Sequence, residues 1–206
     1  CMKKYQIIYA DPPWEYADKR TNPETDRPRA YGGITYPVMK TVDICNLPVK
    51  HIIDENCLLF IWATFPNIKE VFKVIESWGF IYKTLGFAWI KTNRRQQLNQ
   101  LSFLPGEEID DFFGIGSYTK SNCEVCLIGL KGKAKQIVVD NTVASTIISP
   151  RMEHSRKPQE ARDRIIKLCG DRQRIELFAR QKTEGWDVWG NEVESDIELT
   201  TQKAGV

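Results

Sequence analysis

Apolar positions along this chain come in blocks separated by polar stretches. Tyr5-Gln6-Ile7-Ile8-Tyr9-Ala10 and Cys57-Leu58-Leu59-Phe60-Ile61-Trp62 are nearly unbroken apolar runs. Runs of that length suit strands covered on both faces, as in a mostly parallel sheet. Between them a short helix is expected over residues 39–47. After the second run, Ile68, Val71, Phe72 and Ile75 fall on one face of a helix. Thr64 can cap that helix, Pro66 suits its first turn and Gly79 can end it. Further strands are expected over 80–90 (bent at Gly86), 123–130, 136–139, 174–179 and 186–189. A helix over 158–169 would start at Pro158 and stop at Gly170. Strands and helices alternate, which predicts an α/β domain. Residues 1–193 read as a single domain. The tail 194–206 has little to bury and is expected to be disordered.

Two polar stretches interrupt this pattern, 15–37 and 92–121. Loops that long are usually functional or disordered. The first leaves directly from the end of the first strand, and that position favours function. Within the second, Gly114-Ile115-Gly116 lacks the third glycine and the strand–turn–helix setting of a dinucleotide fingerprint. With no phosphate-cradling glycine loop, a nucleotide-metabolising α/β enzyme is a poor reading.

Composition narrows the class only slightly. The 206 residues suffice for one sizeable core, and a net charge of +2 does not announce a nucleic-acid binder. From Arg151 to Lys182, however, ten basic residues face five acidic ones. A local basic face could attract phosphates, although a solvated helix would look the same. The six cysteines are scattered. Cys123-x-x-Cys126 lies in a strand-like run, where its two side chains point to opposite faces, and no further metal ligands stand nearby. A metal is therefore not expected. No segment reads as a signal peptide or a membrane span, so a cytoplasmic, reducing setting is expected.

The candidate chemistry sits where the first strand ends, at Asp11-Pro12-Pro13-Trp14. Prolines fix their own φ and cannot continue a strand or a helix. The corner therefore holds a carboxylate, a carbonyl and a large ring in fixed relation. That set suits an exocyclic amino group on a flat base: Asp11 and the Pro12 carbonyl can each accept an N–H, and Trp14 can stack. Both acceptors favour the amino nitrogen as it gains positive charge during methyl transfer. A paired base must be flipped out to reach them. A plain strand-ending turn is the bland alternative, since Asp and Pro are common turn residues.

Ile8-Tyr9-Ala10-Asp11-Pro12-Pro13-Trp14 resembles the catalytic motif of S-adenosylmethionine-dependent amino methyltransferases. The tryptophan variant resembles the N6-adenine methyltransferases of the MT-A70 type. Leu59–Trp62, Trp89-Ile90-Lys91-Thr92-Asn93, His154-Ser155-Arg156-Lys157-Pro158, Ile175-Glu176-Leu177-Phe178-Ala179-Arg180 and Gly190-Asn191 follow in that family's order. The resemblance implies a Rossmann-like methyltransferase fold with permuted motifs, the catalytic motif preceding the cofactor-binding strand. It implies S-adenosylmethionine as cofactor, held by Ile8, Ala10, Asp11, Lys157, Glu176, Phe178, Arg180, Asn191 and Glu192. Tyr16, Arg20, Arg29, Tyr31, Trp89, Lys91 and Asn93 would meet the substrate. The chain departs from the pattern at Ala179, where a glycine is usual, and at Glu192, where glutamine stands in the eukaryotic enzymes. Cofactor contacts at 182–184 are therefore not carried over.

The expected activity is methylation of the adenine N6 amino group in DNA. Adenosine methylation in RNA, cytosine N4 methylation in DNA and an inactive nucleic-acid-binding subunit are the alternatives. An intact Asp11 and Trp14 argue against the last. The expected partners are nucleic acid, DNA before RNA, and a second copy of the chain or an accessory subunit.

Overall fold

The computed structural model describes residues 3–15, 38–92, 118–119, 121–151 and 156–199. Its strands are β1 (Tyr5–Ala10), β2 (Ile53–Ala63), β3 (Ile81–Thr92), β4 (Cys123–Lys131), β5 (Thr146–Pro150), β6 (Arg174–Leu177) and β7 (Asp187–Trp189). Its helices are α1 (Thr41–Cys45), α2 (Ile68–Ser77) and α3 (Gln159–Cys169). The strands form one seven-stranded sheet in the order β5-β3-β4-β2-β1-β6-β7. β4 runs antiparallel to both neighbours, and the other pairings are parallel. The expected α/β architecture is present.

The unbroken apolar runs have the cause the sequence suggests. Along β1, Tyr5, Ile8 and Ala10 enter one core layer with Ile44 of α1 and Val71, Val74 and Ile75 of α2. Ile7 and Tyr9 enter the other layer with Ala161, Ile165 and Cys169 of α3. Helices cover both faces, so each strand position must be apolar. Burying each such aliphatic or aromatic side chain is worth about 1.5–3 kcal/mol. Cys123 borders the first layer and Cys126 is buried in the second, so the two cysteines do lie on opposite faces. The β3–β4 register slips between Leu85 and Phe87, at Gly86.

Several expectations need correction. Residues 136–139 do not form a strand; Ala134–Ile137 is a 3-10 turn. Ala134 and Ile137 are buried one turn apart while Val139 is exposed, a spacing of three rather than two. β5 was not anticipated, because its five residues bury only Ile147 and Ser149. The tail is packed up to residue 199. Leu199 is buried and Ile197 packs against the same layer. Asp196 and Val188 exchange hydrogen bonds, N–H to carbonyl and N–H to carboxylate, each of 2.8 Å. Residues 200–206 lie outside the described residues. The basic segment is largely neutralised within the fold: Arg162, Arg164, Lys167, Arg174 and Lys182 each pair with a carboxylate. Among the described residues no helix is long and apolar enough to cross a membrane.

Candidate active site

β1, β6 and β7 are adjacent and parallel, so their C-terminal ends open on one edge of the sheet. Open α/β sheets bind ligands at that edge. Asp11 follows β1 directly. The Asp-Pro-Pro-Trp corner is fixed by backbone bonds: Trp14 N–H donates to the Pro12 carbonyl at 2.9 Å, and Met39 N–H to the Pro13 carbonyl at 2.8 Å. One lone pair of the Pro12 carbonyl is thereby used and a second remains; Pro12 itself is buried, whereas Asp11 and Pro13 reach the cleft at this edge.

A cleft at this edge is lined by Asp11, Pro13, Met39, Phe178, Ala179, Arg180, Trp189, Gly190, Asn191 and Glu192. Its floor is tightly built. Phe178 takes a left-handed backbone conformation, φ 62°, costly for a bulky side chain. The turn it makes sends Ala179 back against β7, where Ala179 N–H donates to the Trp189 carbonyl at 3.0 Å. The Phe178 and Trp189 rings meet edge to face at 5.4 Å. Gly190 fits because a Cβ there would lie 2.1 Å from the Ala179 carbonyl oxygen. On the rim, Arg180 Nε lies 3.8 Å from Glu192 Oε1.

Behind Asp11 runs a chain of alternating charges. Both Asp11 carboxylate oxygens lie 2.8 Å from Lys157 Nζ. The same ammonium lies 3.2 Å from Glu124 Oε2, and the other Glu124 oxygen pairs with Lys91. Lys157 is only 8 % exposed, and its Nζ lies 5.6 Å from the centre of the Trp62 ring. Burial opposes the charge on Lys157, but Asp11 and Glu124 outweigh it and hold its pKa above the ordinary lysine value. Burial likewise opposes ionisation of Glu124, and Lys157 and Lys91 outweigh it and hold that carboxyl below its usual range. Both groups are thus charged at neutral pH.

Of the residues expected to hold the cofactor, Asp11, Phe178, Arg180, Asn191 and Glu192 meet at the cleft. Others do not. Ile8 and Ala10 are wholly buried in the core layer below. Lys157 stands on Asp11 rather than in the cleft, because Asp11 and Glu124 both claim its ammonium. Glu176 is held by Arg162 in two hydrogen bonds on the α3 side of the sheet. The aromatic expectations also change. Trp14 is buried and donates its indole N–H to the Trp62 carbonyl at 3.1 Å, so its ring is core rather than a stacking platform. Trp89 is buried as well and donates to the Ser149 carbonyl at 3.1 Å. Lys91 pairs with Glu124. Tyr16, Arg20, Arg29, Tyr31 and Asn93 lie outside the described residues. Glu124 escaped the sequence reading; its signal was a lone carboxylate inside an apolar strand, which needs a buried partner.

The MT-A70 family profile matches residues 5–192, nearly the whole described chain. The chain belongs to the MT-A70 family. It is 34 % identical to the type II methyltransferase M.MunI of Mycoplasma sp, covering 97 % of this chain and 83 % of that protein. Human METTL4, an N(6)-adenine-specific methyltransferase, is 25 % identical over 93 % of this chain and 38 % of its own length. An Arabidopsis thaliana N(6)-adenosine-methyltransferase MT-A70-like protein is 25 % identical over 92 % of this chain. That match takes in only 24 % of the plant protein.

Proposed function

We propose that this MT-A70 protein transfers a methyl group from S-adenosylmethionine to the N6 amino group of adenine in DNA. The observation that carries the reading is Asp11: it lines the cleft while the Lys157 ammonium pairs with its carboxylate from behind. The near-complete match to a type II methyltransferase, against partial matches to the adenosine enzymes, supports DNA over RNA. In this reading the end of β6 holds the cofactor, so the catalytic corner would precede the cofactor-binding strand, the permuted order that the resemblance implies.

The cleft's donor set suits S-adenosylmethionine. Arg180 offers a cation for a carboxylate and Asn191 an amide for a hydroxyl. Gly190 lets the Phe178–Ala179 turn pack directly against the end of β7, which shapes the cleft between them. When bound, the cofactor supplies a methyl group activated on a sulfonium. The protein's share is positioning and electrostatics. Asp11 accepts one N–H of the amino group, and the free lone pair of the Pro12 carbonyl accepts the other. As the nitrogen gains positive charge, both bonds strengthen. The surplus proton passes to solvent, and no histidine is required.

The test incubates the protein with labelled cofactor and either DNA or RNA, then identifies the methylated nucleoside by mass spectrometry. N6-methyldeoxyadenosine is expected from wild type and not from Asp11→Ala. Transfer to neither nucleic acid, with the two proteins equally inert, refutes the reading. N6-methyladenosine from RNA alone would move the protein to the second reading, which the adenosine-methyltransferase relatives favour.

A further inference from the structure

The Arg162–Glu176 pair takes no part in the chemistry above, yet it is one of the most buried ion pairs of the chain. Arg162 Nε donates to Glu176 Oε2 at 2.8 Å and Nη2 to Oε1 at 2.5 Å. The side chains are 5 % and 7 % exposed. A pair this dry contributes little net stability, because desolvation offsets most of the attraction, and two apolar residues would serve a core as well. What the pair does supply is a forked, directional link between two elements.

Those elements are the two arms of the site. Arg162 lies on α3, which begins two residues after Lys157. Glu176 lies on β6, which ends directly before Phe178. One arm brings Lys157 to Asp11, and the other brings Phe178 and Arg180 into the cleft. A relay of contacts also runs from Arg162 through Tyr9 and Trp62 to the corner. Its guanidinium lies 5.1 Å from the centre of the Tyr9 ring, and the Tyr9 hydroxyl accepts the Trp62 indole N–H at 2.7 Å. Trp62 in turn carries Lys157 on its ring and accepts Trp14 on its carbonyl.

We propose that Arg162 and Glu176 are positioning residues that set the distance between the methyl-accepting corner at Asp11 and the cofactor cleft at Phe178–Arg180. The proposal rests on the methyltransferase reading of that site. Methyl transfer needs its reacting atoms within a narrow range of distance and angle, so a small shift between the arms slows the step without removing any group that performs it.

The test replaces both partners at once, Arg162→Met with Glu176→Leu, which leaves no unpaired buried charge. Such replacements are tolerated, so the variant should fold and melt close to wild type. At saturating substrates its turnover should fall about ten- to hundredfold, with little change in either KM. A folded pair variant with wild-type turnover overturns the proposal. Should the pair variant not fold, Arg162→Lys keeps the charge and loses the fork; the same split between kcat and KM supports the proposal, and wild-type kcat overturns it. A second readout needs no activity. The Lys157 ammonium, shielded and doubly paired, should give an exchange-protected 15N resonance that broadens in the pair variant. An unchanged resonance counts against the proposal even if the protein proves not to methylate nucleic acid. Absence of methyl transfer by wild type would instead refute the functional reading alone.

Discussion

Both carboxylate oxygens of Asp11 lie 2.8 Å from Lys157 Nζ, across 146 positions of chain. The lysine is therefore expected to act through Asp11 rather than by contact with the cofactor. Lys157→Met should leave cofactor affinity, measured by calorimetry, close to wild type. Turnover should fall about a hundredfold, the scale of losing one preorganised electrostatic contact. Stability should fall by ~3–5 kcal/mol, because Asp11 and Glu124 lose their shared counter-ion. A loss confined to cofactor affinity would contradict this placement.

Asp11→Asn separates charge from shape. The amide keeps an acceptor oxygen but loses the negative charge that strengthens its bond as the amino nitrogen becomes positive. Turnover should drop by about 10²–10³, while cofactor binding persists. Single-turnover measurements with saturating cofactor check this, and a drop that appears only at low cofactor would argue against it.

The pH dependence of stability follows from Glu124 and Lys157. Glu124 has its pKa depressed on folding, so its contribution is fully present above the ordinary glutamate value, 4.5, and fades as pH falls below it. Lys157 has its pKa raised, so its contribution is full below the ordinary lysine value, 10.5, and fades as pH rises beyond it. Thermal melts should therefore show a plateau between those limits and a decline on each side. Glu124→Gln should lower the plateau and flatten the acid decline. An acid decline equally steep in the variant would place its origin in other carboxylates.

Much of this was legible in the sequence, for identifiable reasons. β1 and β2 showed because both faces of each strand are covered, which forces continuous apolar runs. The Asp11 corner showed because two prolines after such a run have few structural uses. The partnership of Lys157 with Asp11 and Glu124 did not show. It depends on how α3 docks and on the β3–β4 register, which sets Glu124 opposite Trp89 and two residues from Lys91. Strand pattern also cannot tell a tryptophan facing a ligand from one facing a helix, and Trp14 and Trp89 both prove to be core. The run at 136–139 misled because β-branched residues favour strands, whereas the burial at Ala134 and Ile137 follows the period of a 3-10 turn.

The buried indole of Trp14 makes a stability prediction. Trp14→Phe removes one hydrogen bond to the Trp62 carbonyl and some volume, and should cost ~1–2 kcal/mol. Trp14→Ala should cost ~3–5 kcal/mol. Urea unfolding checks both. Folded Trp14→Phe should retain its KM for nucleic acid, whereas a large rise in KM at unchanged stability would show a ring that stacks on substrate.

Gly190 tests the cleft itself. Its backbone φ is not in the left-handed region, so the demand for glycine is one of space. A Cβ would lie 2.1 Å from the Ala179 carbonyl oxygen and 2.8 Å from the Ala179 nitrogen. These are backbone atoms, tied to β7 by the 3.0 Å bond from Ala179 N–H to the Trp189 carbonyl, so they cannot rotate aside as a side chain would. Gly190→Ala must therefore spread the ends of β6 and β7. That spread separates Arg180 from Asn191, the cation and the amide assigned to opposite parts of the cofactor. Overpacking of this kind costs ~1–3 kcal/mol, and a loss of that size in cofactor binding corresponds to a Kd weaker by about five- to 150-fold. Because Asp11 and Lys157 lie beyond β6 on the far side of the cleft, turnover at saturating cofactor should fall much less than affinity. Calorimetry and steady-state kinetics on one preparation decide the matter. Unaltered affinity in Gly190→Ala would mean that Arg180 and Asn191 do not grip the cofactor from the two sides of this cleft.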